Sequence, residues 1–141
     1  MRGDLMKYNI NIQEDSNGEY LVTFPDVPEA VTTVEKLTEL HTQAADALVS
    51  AFDFYIEDKK PIPIPQNIGV DYITLPVGLA AKVYLYNEWL ASNLKKTDIA
   101  SKIGIAPSNL DRLFNLRYRS KIEAIEQALG AFDKHLDIRV I

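Results

Sequence analysis

The apolar residues of this 141-residue chain change their period near residue 37, and that change predicts an α+β fold. Before it, Tyr8, Ile10 and Ile12 alternate with Lys7, Asn9, Asn11 and Gln13, and Tyr20, Val22 and Phe24 alternate with Glu19, Leu21 and Thr23. A strand turns successive side chains to opposite faces, so each run reads as a half-buried strand. Asp15-Ser-Asn-Gly18 turns the chain between them, making residues 7–24 a β-hairpin. Pro25 and Pro28 end it, because proline cannot donate to a ladder. Residues 30–34 are short and β-branched, suited to a third strand, and residues 70–75 suit a fourth.

From Leu37 the spacing becomes three and four: Leu37, Leu40, Ala44, Ala45, Leu48, Ala51, Phe52 and Tyr55 paint one face of a long helix. Lys59-Lys60-Pro61 closes it, and the three prolines of Pro61-Ile-Pro-Ile-Pro65 force an extended linker or edge segment. Pro76 suits the first position of a second helix, which reaches Leu94 with Leu79, Val83, Tyr86, Leu90 and Leu94 on one stripe. The expected boundary therefore falls near residue 75. Residues 1–75 form a sheet with a packed helix, and residues 76–141 form a helical domain. Ile122, Ile125, Leu129 and Phe132 continue a helical face, after which Leu136, Ile138 and Val140 alternate with Asp137, Arg139 and Ile141. That ending predicts a terminal strand. A lone strand needs a partner, so Leu136, Ile138 and Val140 are candidates for the interface of a homodimer or higher homo-oligomer.

The net charge of −5 conceals a division. Residues 1–75 hold 5 Lys and Arg against 13 Asp and Glu, a balance of −8, and residues 76–141 hold 10 against 7, a balance of +3. Within residues 95–121 lie seven bases and two acids. A polyanion would dock on that basic cluster. The acidic first domain suits a basic partner, with Asp26, Glu29, Asp46 and Asp53 as contact candidates.

The basic cluster overlaps the most informative segment, Lys96 to Asn115, which has the pattern of a helix-turn-helix. Ala100 lies where two helices would cross, and Gly104 supplies the positive φ that lets the chain leave the first of them abruptly. Ile99, Ile103, Ile105, Leu110 and Leu113 fill the space between and behind the helices, while Pro107 suits the first turn of the second. Helical hairpins with a glycine turn also occur in proteins that never touch DNA, but the basic cluster favours a DNA reader. Ser108, Asn109 and Arg112 would project from the opening turns toward base edges; asparagine and arginine can pair with adenine and guanine respectively. Lys96, Arg117, Arg119 and Lys121 flank that helix and are assigned to phosphates. Lys102 is read as a solvated surface charge.

Other chemistry is poorly provided for. There is no cysteine, and only His41 and His135 remain as imidazoles, so a structural zinc site is disfavoured and both histidines read as surface or helix residues. No Ser/His/Asp arrangement or glycine-rich phosphate loop occurs, and no cofactor is expected. The start has no apolar stretch of signal length and no window approaches a membrane span, so the expectation is a cytoplasmic protein without a membrane partner. Met6 could equally be the natural start, which would make residues 1–5 an upstream extension.

The order of elements resembles the HicB family of bacterial toxin–antitoxin antitoxins, in the subgroup with a C-terminal helix-turn-helix. Tyr20-Leu-Val-Thr-Phe-Pro-Asp-Val-Pro-Glu-Ala30 is similar to that family's second strand and loop, Ala47-Leu-Val-Ser-Ala-Phe-Asp-Phe-Tyr55 to its long helix, and Arg112-Leu-Phe-Asn-Leu116 to the end of its recognition helix. The resemblance implies a partial ribonuclease-H-like N-terminal domain that occludes a small mRNA-cleaving toxin of the HicA type. It also implies a C-terminal domain that binds double-stranded operator DNA and represses the shared operon. Two other readings compete: a helix-turn-helix repressor with a ligand-sensing first domain, and a metal-dependent nuclease. The residues argue against the last. A ribonuclease H groups carboxylates around two metal ions, one of them from the first strand, but Tyr8-Asn-Ile-Asn-Ile12 contains no acid. Asp26 and Glu29 lie in a turn, and Asp46 and Asp53 are two helical turns apart, about 10 Å by helical rise. These acids therefore read as a solvated face, and no catalytic residue is assigned.

Overall fold

A computed structural model of the chain describes residues 6–66 and 69–140. The expectations for residues 1–5 and for Ile141 lie outside these. Small antiparallel sheets and five α-helices make up the described structure. Two compact units divide it: the residues up to Asp58 together with Ile62–Leu75, and Lys59–Pro61 together with the residues from Pro76 onward.

In the first unit, the expected opening strand is two short ones, β1 (Lys7–Asn9) and β2 (Asn11–Glu14), with Ile10 between them. They take different partners. β1 pairs antiparallel with β5 (Tyr72–Thr74), Tyr8 opposite Ile73, and the Ile10 N–H donates to the Asp71 carbonyl at 3.0 Å. β2 pairs antiparallel with β3 (Tyr20–Thr23), Ile12 opposite Val22, and β3 pairs antiparallel with β4 (Val31–Val34). The hairpin turn closes through the Asp15 carboxylate, whose Oδ1 accepts the Asn17 and Glu19 N–H groups at 2.8 and 3.0 Å. Gly18 takes φ +81°, a left-handed value that favours glycine.

α1 (Leu40–Glu57) follows a 3-10 turn at Leu37–Glu39 and packs on β4 and β5. Ala44, Leu48, Ala51 and Phe52 are buried as the stripe predicts, but Leu37 is 52% exposed, because the α-helix starts only at Leu40. Tyr8 and Phe52 form the centre of the core, their rings 5.6 Å apart. The Tyr8 hydroxyl donates to the Pro63 carbonyl at 2.7 Å, and Ile62 is buried. The proline run is therefore anchored in this unit's core rather than serving as a plain linker.

In the second unit, α2 (Val77–Ser92) is buried on more than the predicted stripe, through Ala81, Lys82, Val83, Leu85 and Tyr86. α3 (Lys96–Ile103), α4 (Pro107–Leu113) and α5 (Ile122–Leu129) pack with it around Ile99, Leu110 and Ile125. A 3-10 turn at Gly130–Phe132 continues α5. The terminal strand expected from residue 136 is not formed: residues 134–140 carry no strand assignment, and Ile138 and Val140 are 81% and 95% exposed. A strand is defined by its ladder, and among the described residues this segment has no neighbouring strand.

Candidate functional site

α3 and α4 are joined by Gly104, Ile105 and Ala106. Gly104 ends α3 at φ +72°, ψ +38°, and the Ile105 N–H returns to the Ala100 carbonyl at 3.0 Å. Nothing lies within 4 Å of a Cβ built at Gly104, so glycine is favoured by the backbone angle and not by lack of room. Pro107 opens α4 at its first turn. Ile99, Ala100, Leu110 and Leu113 point inward and are buried, whereas Ile103 and Ile105 are half-buried. That leaves Ser108, Asn109 and Arg112 exposed on α4, together with Asp111.

The cations around α4 are not equivalent. Arg112 lies over the Tyr118 ring at 5.4 Å, and Tyr118 is itself 44% exposed, which presents the guanidinium on an aromatic platform. Lys96 Nζ lies 5.1 Å from the centre of Trp89, 4.9 Å from that of Phe114, and 3.9 Å from Asp111 Oδ1. Part of its attraction is thus directed inside the unit. Arg117, Arg119 and Lys121 are exposed. Lys102, read as a solvated charge, donates instead to the Ala131 carbonyl at 2.8 Å and ties α3 to the turn after α5.

Sequence reasoning missed Lys82. It is 3% exposed, and its ammonium donates to the carbonyls of Arg112 at 3.1 Å, Asn115 at 2.8 Å and Tyr118. Burial pushes its pKa down from 10.5 to about 8. A signal was present: Lys82 stands three residues after Leu79 and four before Tyr86, in line with the apolar stripe. Trp89, packed against both Tyr86 and Phe114, was also overlooked.

Asp26 accepts the Gln66 N–H at 3.3 Å, while Glu29 accepts the Tyr55 hydroxyl of α1. Burial, then the bond to Glu29 and its charge, push the Tyr55 pKa up to about 12. Asp46 is exposed and Asp53 half-buried on α1. No three of His, Cys, Asp or Glu among the described residues group as metal ligands. The last residue of β1 is Asn9, buried, with its Oδ1 accepting the Gly69 N–H. His41 and His135 are exposed. None of the described helices is long and apolar enough to cross a membrane.

Residues 7–84 match the profile of a family described as the HicB_like antitoxin of bacterial toxin-antitoxin systems. Antitoxin HicB of Escherichia coli (strain K12) is 38% identical over 138 residues, covering 96% of this chain and all of the relative. Antitoxin HicB 2 of Photorhabdus laumondii subsp. laumondii is 38% identical over 136 residues, 96% of this chain and 97% of that protein. Antitoxin HicB 1 of the same organism is 35% identical over 135 residues, 96% and 87% of the two chains.

Proposed function

Because the chain belongs to the HicB-like antitoxin family, we propose that it neutralises a small mRNA-cleaving toxin of the HicA type and represses its own operon. The family is one of regulatory antitoxins rather than enzymes. Toxin capture is assigned to the first unit, read as a partial ribonuclease-H-like sheet with α1 packed on it. Its −8 balance suits a surface built to hold RNA phosphates, with Asp26, Glu29, Asp46 and Asp53 as contacts. DNA binding is assigned to the second unit, with α3 and α4 as a helix-turn-helix.

The observation that carries the DNA-binding reading is the exposed face of α4, where Ser108, Asn109 and Arg112 stand clear of the core while Leu110 and Leu113 fix the helix from behind. One seven-residue helix reads too few base pairs for useful specificity, so the operator is expected to be an inverted repeat bound by a dimer. Leu136, Ile138 and Val140 are the proposed seam, because pairing with the same segment of a second copy would form the missing ladder.

Arg112→Ala and Asn109→Ala should each cost about 1–3 kcal/mol on the operator and relax its sequence preference. Arg119→Ala should weaken binding to all duplexes alike and flatten the salt dependence, as should replacement of Arg117 or Lys121. Lys96→Ala should do the same with an added loss of packing against Trp89 and Phe114. Band-shift titrations at two salt concentrations separate base readers from phosphate contacts. Equal losses on operator and scrambled DNA for Arg112→Ala would remove it from base reading.

A further inference from the structure

Lys82 has no role in the DNA-binding surface just proposed, yet its placement is unusual for a lysine. An ammonium carries three N–H donors, and here each meets a backbone carbonyl: Arg112, Asn115 and Tyr118. These belong to the last turn of α4 and to the tight turn that follows, where the Tyr118 N–H also returns to the Asn115 carbonyl at 3.1 Å. The end of a helix leaves carbonyls without intrahelical donors and concentrates partial negative charge, which a cation offsets. Lys82 reaches them from α2, 30 to 36 residues away in sequence. Its own ring contact is Tyr118, at 5.6 Å, the same ring that carries Arg112.

We propose that the protonated Lys82 is the positioning residue of the DNA-binding surface, fixing the end of α4 and residues 115–118 so that Arg112 and Arg117 are held in DNA-binding positions. The inference rests on the reading of α4 as the DNA-contacting helix. A neutral amine has only two N–H donors, so loss of the proton leaves one of the three carbonyls unmet and loosens the turn. The cleft beside Lys82, about 530 Å³, is lined by Arg117, Tyr118 and Arg119, and no carboxylate lines it. The charged groups lining this cleft are Lys82, Arg117 and Arg119, and Arg112 lies over Tyr118, so the proton of Lys82 is held there by the carbonyl dipoles. The lowered affinity of Lys82 for its proton, about 8, brings the loss within reach of ordinary buffers. DNA binding that needs the ammonium must weaken as pH rises through that value.

The test uses the full chain and a duplex spanning the promoter upstream of its own coding sequence, with a scrambled duplex as control. Between about pH 7 and pH 9, operator affinity should fall about tenfold if bound DNA keeps Lys82 protonated. The backbone amide resonances of residues 113–119 should shift with the same midpoint while circular dichroism stays constant. Lys82→Arg, whose guanidinium keeps its charge, should bind at pH 7 and lose the pH dependence; Lys82→Met should bind weakly at both. Absence of operator binding at pH 7 would refute the DNA-binding reading. Full binding at pH 7 with an unchanged affinity at pH 9 would overturn the role of Lys82 alone, as would amide shifts that do not track the loss. If Lys82→Arg does not fold, the wild-type affinity and amide midpoints still decide the matter.

Discussion

Leu110→Ala should destabilise the second unit by about 2–5 kcal/mol and abolish operator binding, while leaving toxin capture in place. Leu110 is fully buried on the inner side of α4, and truncation there removes the packing that holds the exposed face of that helix in position. Its backbone N–H bonds to the Ala106 carbonyl at 3.2 Å, so the helix start depends on the same residue being held. The measurement is a pair of assays on one preparation: thermal unfolding with band shift, and co-purification with a co-expressed HicA-type toxin. Loss of both activities together would mean that they do not divide between the units.

Phe52→Ala is the mirror experiment, with an expected cost of about 3–5 kcal/mol to the first unit. Phe52 is fully buried on α1 with its ring against Tyr8, whose hydroxyl anchors the proline segment at Pro63. Removing the ring leaves a cavity between helix and sheet and frees the chain that carries Asp46, Asp53 and the Tyr55–Glu29 bond. Toxin capture should be lost while operator binding persists in a band shift at low temperature. Retained capture with an unfolded first unit would place the toxin contacts elsewhere.

The two proposed activities differ in how far the sequence announces them. The hairpin and the α3 to α4 turn are legible because their determinants are local. Alternating apolar residues flank Asp15 to Gly18, and Gly104 and Pro107 sit where a left-handed residue and a first helical turn are needed. The exposed trio on α4 follows from the same spacing that buries Leu110 and Leu113. What local pattern cannot carry is a long-range partner. Lys82 counts as one more surface charge until its three carbonyls, 30 to 36 residues later, come within reach. The same holds for the change of partner strand at Ile10 and for the burial of Ile62 within a proline run. The alternation from Leu136 onward gives the right period for a strand, but a strand also needs a neighbour, and none of the described residues provides it.

Silencing of a ribonuclease by binding it is the activity proposed for this chain. The test is cleavage of a purified mRNA by a cognate HicA-type toxin, titrated with the full-length chain. Cleavage should decline with added chain and stop at saturation, and added salt should weaken the inhibition by screening the attraction between the acidic unit and a basic toxin. Cleavage that continues unchanged at saturating chain would contradict the proposal.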